Sequence, residues 1–151
     1  VFRLSNAVGS PAISKGHSWS LIVNDLCKQV LMNGNMRLSS GEGVLRDYLP
    51  ISSVVTVVAN FIENTTSEGG VYNLSSGISL SLRNVSELIS QRAEIILKLK
   101  PKIYFNDIWP GTSNIENLLI SNAKLKNIGI EINSDISAEI DQILLNCREW
   151  F

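Results

Sequence analysis

The spacing of apolar residues constrains this chain more than any other feature. Ile22, Val23, Leu26, Cys27 and Val30 share one face of a helical run from Trp19 to Met32, with Asn24, Asp25, Lys28 and Gln29 on the other. Ser18 or Ser20 is placed to cap it, and Asn33-Gly34 to end it. Val54, Val57, Val58, Phe61 and Ile62 repeat the pattern in "SSVVTVVANFIEN", where Ser52 or Ser53 is the expected cap. That stretch is β-branched, which favours a strand, but it is too long for a typical one and reads as a buried helix. A long helix follows Ser81, with Leu82, Val85, Leu88, Ile89, Ala93 and Ile96 inward and Pro101 stopping it. The last helix starts at Ser134 and turns Ile136, Ile140, Ile143, Leu144 and Cys147 inward.

Between the helices lie runs too short for anything but strands. These are Val1–Ser5, ending at Asn6; Met36–Leu38; Arg46–Ile51, with Pro50 marking an edge or end; "VYNLSS" after Gly69-Gly70; "KIYFN"; and Leu118–Ile120. "NAVGSPAISKGHS" reads as a loop, Ser39–Gly43 as a turn, and Ser121 or Asn122 as the start of a short helix ending near Gly129. The fold class is α/β, without the regular strand-helix alternation of a full parallel sheet. At 151 residues the length fits one domain with a proper core.

Charge and composition exclude several functions. A formal charge of -1 leaves no large basic face for nucleic acid or anionic lipid. Cys27 and Cys147 form no CxxC or CxxH pattern and fall on apolar helix faces, so they read as small buried hydrophobes. The single histidine, His17, has no second ligand nearby for zinc. No apolar run is long enough to span a membrane, and no signal-like segment is present, so the expected location is cytoplasmic. Three Asn-x-Ser/Thr matches, at Asn64, Asn73 and Asn84, are read as chance on the same ground. A sequence that opens on a strand-like run without an initiator methionine reads as a piece of something longer.

Three stretches occur in a telling order: "RLSNAVGSP" (Arg3–Pro11), "GEGVLRDYLPISSVV" (Gly41–Val55) and "GGVYNLSSGISLSLRNVSELI" (Gly69–Ile89). Together with "SNAKLKNIGI" (Ser121–Ile130) and the closing "REWF", they resemble the carboxy-terminal part of the NAD-dependent sugar-nucleotide epimerase/dehydratase family, the extended short-chain dehydrogenases. The resemblance implies a small mixed α/β substrate-binding lobe over residues 16–151. Residues 1–15 would be the last strand and connection of a truncated Rossmann domain. The implied parent enzyme uses NAD or NADP, takes hydride transiently from a sugar carbon and is often a homodimer. Its ligand is a nucleotide-diphosphate sugar, and its missing amino-terminal Rossmann domain is the first expected partner. This sequence has no GxxGxxG turn and no Tyr-x-x-x-Lys pair, since Tyr48, Tyr72 and Tyr104 lack a lysine four residues on. Tight cofactor binding and turnover are therefore not expected of the chain alone. Two other readings stay open: a non-catalytic nucleotide-sugar binding module or inactive remnant of this lineage, and an interaction domain with no ligand.

The resemblance assigns residues. Arg46 forks onto the diphosphate, a geometry that lysine imitates poorly; the alternative is a surface ion pair with Asp47 or Glu42. Asn6 reaches the same diphosphate, unless it only starts an Asx turn. Leu4 and Ser5 match strand-end positions beside the nicotinamide. Leu21, Met36 and Leu38 match positions that frame the nucleobase, usually through backbone groups, with ordinary core packing as the alternative. No catalytic residue and no metal ligand is assigned. Ser52 and Ser53 stand where such proteins often have aspartates. Around Trp109-Pro110-Gly111-Thr112 the usual second phosphate-binding arginine is absent. Trp19, Trp109 and Trp150 read as packing residues more readily than as stacking platforms. Lys98, Lys100 and Lys102 read as a solvated helix end.

Overall fold

Strand β4 (Leu45–Pro50) organises the molecule, because its alternating side chains serve two separate cores. In the computed structural model, which describes residues 1–63, 69–106 and 118–151, Tyr48 belongs to the larger core and Leu49 to the smaller. The other strands are three residues each: β1 (Phe2–Leu4), β2 (Asn6–Val8), β3 (Asn35–Arg37), β5 (Tyr72–Leu74), β6 (Ser79–Ser81) and β7 (Lys102–Tyr104). Among the described residues they form three small sheets. β1 pairs with β5 and β3 with β7, both parallel. β2 lies parallel to β4, with Asn6 opposite Tyr48 and Val8 opposite Pro50, and β6 runs antiparallel on the other edge of β4.

Helices α1 (Ile22–Asn33), α3 (Leu82–Leu97) and α5 (Ser137–Trp150) cover the larger core. Their apolar faces are those that the spacing predicts; Leu26, Cys27, Val30, Val85, Ile89, Ala93, Ile140, Ile143, Leu144 and Cys147 are all fully buried. Helix α2 (Ile51–Glu63) and the short α4 (Ala123–Asn127) close the smaller core around Leu49, Val57, Tyr72, Leu74 and Leu125. Phe2, Phe61 and Tyr72 pack edge to face there, with centroids 5.0 Å apart for Phe2–Phe61 and 4.9 Å for Phe61–Tyr72.

The expected ends hold at Ser81, whose side chain and that of Asn84 form a capping box, and at Gly34, which terminates α1 in the left-handed conformation. Elsewhere tertiary contacts replace the local signal. Asn6 does not end a strand; it begins β2. The serines proposed to cap α2 lie inside its first turn, since the helix starts at Ile51 directly after Pro50. The Ser52 N–H is instead taken by the Glu139 carboxylate of α5 at 3.0 Å, and the Ser53 hydroxyl donates to Asn133 O. Helix α1 has no side-chain cap, because Ser20 Oγ donates to His17 O and the Ser18 carbonyl accepts from Asn24 Nδ2. Leu118–Ile120 is not a strand; the Ile120 and Leu118 carbonyls accept the hydroxyls of Ser75 and Ser79 rather than ladder bonds. Helix α5 starts at Ser137 rather than Ser134, and its Ser137 N–H is held by Asp135 Oδ1; hydrogen bonds from the Ser137 hydroxyl and then from its N–H keep the Asp135 carboxyl below its usual range.

Two tests follow directly from these contacts. Asp47 is fully buried and accepts from Ser5 Oγ at 2.6 Å and from the Ser76 and Gly77 N–H groups, both at 2.9 Å. Asp47→Ala leaves the buried Ser76 N–H and the half-buried Ser5 hydroxyl and Gly77 N–H without their acceptor and is expected to cost about 3 kcal/mol in urea unfolding, with Asp47→Asn costing less. A loss for Asp47→Ala within about 1 kcal/mol of zero would contradict the assigned role. Burial, reinforced by nearby Cys147, raises the Cys27 thiol well above its usual value, and burial pushes Cys147 up to about 12 against the pull of Lys28. Both thiols are free and buried, so a chromogenic thiol reagent is expected to label neither until the chain unfolds.

Candidate functional site

Strand alternation places Arg46 and Tyr48 on one face of β4 and Asp47 on the other. Asn6, in register with Tyr48, brings its side chain beside theirs. Two adjoining cavities open along this line. The larger, about 370 Å³, is walled by Leu4 to Val8, by Leu21 to Asn24 at the entry of α1, and by Tyr48. The smaller, about 140 Å³, is walled by Asn6, Ile22, Ser40, Val44, Arg46, Tyr48 and Leu82. Asn6, Ile22 and Tyr48 belong to both, so the two form one cleft.

The glycine turn before Arg46 is fastened rather than loose. Leu82 and Arg83, in the first turn of α3, donate their N–H groups to Val44 O at 3.0 Å and Glu42 O at 3.1 Å. Those are donors that no intrahelical carbonyl can satisfy. The Arg83 guanidinium also pairs with the Glu42 carboxylate. Beyond the turn, Arg46 is exposed and, among the described residues, donates only to its own neighbour's carbonyl, from Nη1 to Leu45 O at 2.9 Å. The ion-pair alternative is therefore not what the structure holds: Asp47 is consumed by Ser5, Ser76 and Gly77, and Glu42 by Arg83. Among the described residues, Arg46 is the one charged residue on the walls of the cleft.

The entry of α1 adds a second source of positive potential. Its N-cap, Leu21, makes no side-chain cap bond, and the residues of its first turn, Ile22 to Asn24, line the larger cavity. Asn6 donates from Nδ2 to Asp47 O at 3.0 Å, which fixes the amide and leaves its oxygen as a further polar group. Burial pushes the Tyr48 phenol up to about 12, against the pull of Arg46. Among the described residues of these walls there is no His, Cys, Asp or Glu.

The other expected residues divide clearly. Leu4, Ser5 and Leu21 line the larger cavity, with Leu4 and Leu21 about half exposed at 49% and 53%. The Ser5 hydroxyl is already committed to Asp47. Met36 and Leu38 do not reach the cleft with their side chains; both sit in the larger core, where packing is what they visibly do. Trp19 is buried, donates from Nε1 to Ile13 O at 3.2 Å and packs edge to face on Trp150 and Phe151. Lys98 terminates α3 in the left-handed conformation and donates to Ile95 O. The stretch Trp109–Thr112 lies outside the described residues. Sequence reasoning missed Asp47 as a buried tie and Tyr48 and Ile22 as shared walls; period-two alternation through "LRDYLP" carries the signal for the first two.

Among the described residues no cluster of His, Cys, Asp or Glu could hold a metal ion, and no helix is long and apolar enough to cross a membrane. No protein-family model and no curated protein sequence matches the chain. Solved structures do. RMD from Pseudomonas aeruginosa, complexed with NADPH, superposes with a TM-score of 0.75 at 20% identity, covering 99% of this chain and 48% of that one. UDP-glucose 4-epimerase from Thermus thermophilus, complexed with NAD, gives 0.70 at 21% identity over 97% of this chain and 45% of its own. UDP-glucuronic acid 4-epimerase from Bacillus cereus, in complex with UDP-glucuronic acid and NAD, gives 0.72 at 14% identity over 99% and 45%. The chain thus spans just under half the length of these structures, and its fold is the corresponding part of the extended short-chain dehydrogenase fold that NAD-dependent epimerases and dehydratases share.

Proposed function

We propose that this chain is the substrate-binding part of an NAD(P)-dependent nucleotide-sugar epimerase or dehydratase, and that its own task is to grip the diphosphate of the nucleotide sugar. The observation that carries this reading is Arg46: an exposed guanidinium on a cleft wall without other charge, with no carboxylate partner among the described residues. A resting bond to its own backbone costs little to exchange for a forked, charge-assisted pair with phosphate oxygens. Asn6 on the adjacent strand and the uncapped entry of α1 add polar and dipolar attraction for the same anion.

The redox cofactor is a different matter. Leu4 and Ser5 offer wall, but residues 1–151 contain no glycine-rich strand-to-helix turn to cradle its pyrophosphate, so the residues present do not fit NAD or NADP by themselves. In this reading the cofactor and the proton-transfer groups belong to a partnering Rossmann domain, which would pack against the exposed apolar walls around Leu4 and Leu21. The absence of a neutral-pH base on the described walls favours binding over chemistry for this stretch.

Isothermal calorimetry of the 151-residue chain with UDP-glucose, GDP-mannose and dTDP-glucose tests the assignment. Binding of at least one is expected, weakened about tenfold or more in Arg46→Gln, the usual worth of a hydrogen bond to a charged group. Silence with all three ligands, or an Arg46→Gln variant that binds like the parent chain, would refute it.

A further inference from the structure

We propose that Asn33 is the site at which this chain deamidates, and that the reaction loosens the junction between α1 and β3. The sequence holds a single Asn-Gly step, Asn33-Gly34. Among the described asparagines, only Asn33 and Asn127 make no side-chain hydrogen bond; the amides of all the others are engaged. Both of these free amides are exposed. They differ in the residue that follows. Ile128 is β-branched and crowds its own backbone nitrogen. Gly34 has no side chain, and even a Cβ there would meet nothing within 4 Å.

The chemistry needs that openness. The Gly34 nitrogen attacks Asn33 Cγ and closes a cyclic imide; the Cγ–Nδ2 bond breaks, and ammonia leaves with the proton of the attacking nitrogen. Water then adds to either imide carbonyl and opens the ring to aspartate or to isoaspartate. In the folded helix the Gly34 N–H donates to Val30 O at 3.1 Å, which ties the nitrogen down. End turns open at little cost, and each opening frees it. The product forms inside a clasp. Gln29 of α1 accepts the Arg37 N–H of β3 at 2.7 Å and donates to Arg37 O at 3.4 Å, while Asn35 is held opposite Lys102 of β7. Isoaspartate inserts an extra methylene into the backbone between those anchors. Either product also sets a carboxylate at the negative end of α1, whose last turn holds no basic residue.

The test ages the 151-residue chain in mildly alkaline buffer, with and without urea, and maps its peptides by mass spectrometry. In the folded chain Asn33 is expected to turn to acid before any other asparagine, as aspartate and isoaspartate together. In urea, where the bond to Val30 is gone, it is expected to convert faster. Conversion first at another asparagine, none at Asn33 in the folded chain, an equal rate in urea, or aspartate alone would each overturn the assignment. Asn33→Gln is expected to stay folded and lose the early acid form. Asn33→Asp supplies the charge without the methylene. Amide hydrogen exchange across β3 is expected to quicken more in the aged isoaspartate chain than in Asn33→Asp, and equal exchange in the two would refute the loosened junction.

Discussion

The buried carboxylate of Asp47 is the constraint on which the rest of this structure depends. It receives a hydroxyl from Ser5, at the joint between β1 and β2, and two backbone N–H groups from Ser76 and Gly77, just past β5. One side chain thereby ties three chain segments far apart in sequence. A desolvated carboxylate is tolerated only when its oxygens are satisfied, and these three donors supply that. Gly77 presents its N–H with a φ of 72°, a left-handed conformation that glycine adopts without strain, and a Cβ there would sit 3.3 Å from the Asn122 amide. Asn122 in turn donates to Ser75 O, so the turn that holds Asp47 is itself held.

From that anchor the site follows by geometry. With Asp47 fixed toward the smaller-core side, strand alternation sends Arg46 and Tyr48 to the other. Parallel pairing then sets Asn6 beside Tyr48. Gly9 lets the chain leave β2 close against α2, for a Cβ there would fall 2.8 Å from Ile51 Cβ. The glycine turn ahead of β4 is fastened on its own account by the first turn of α3. The guanidinium thus projects from a base that is held at both ends, while its tip, bonded among the described residues only to Leu45 O, stays exchangeable. A fixed base with an exchangeable tip suits ion recognition, because little of the side chain must be ordered on binding.

How much of this was legible in the sequence depends on how local the cause is. Helices α1, α2, α3 and α5 announce themselves, since sixteen or fewer residues carry their own period and, at Ser81 and Gly34, their own ends. Three-residue strands carry no such signal. Asn6–Val8 and Ser79–Ser81 are strands because β4 lies between them, which no reading of Asn6 as a turn former could reveal. The caps of α2 failed for the same reason: Glu139, far along the chain, supplied the acceptor that the Ser52 or Ser53 hydroxyl was expected to provide locally. The motifs single out Arg46 and Asn6, and the structure places both on the walls of one cavity. Met36 and Leu38 were legible as positions, but their side chains turn to the core. The alternative of an Arg46–Asp47 ion pair fails because neighbours on a strand face opposite ways.

The same alternation sets two side chains in different surroundings on one wall. Arg46 stands in solvent, where its pull on an anion reaches far but is screened by salt within about 10 Å. Tyr48, two residues on, is sealed from water. Both stand on a single strand face, with Asn6 beside them and no carboxylate among the described residues of the walls. In the reading proposed above, such a wall would hold a diphosphate still and leave bond-making to residues elsewhere.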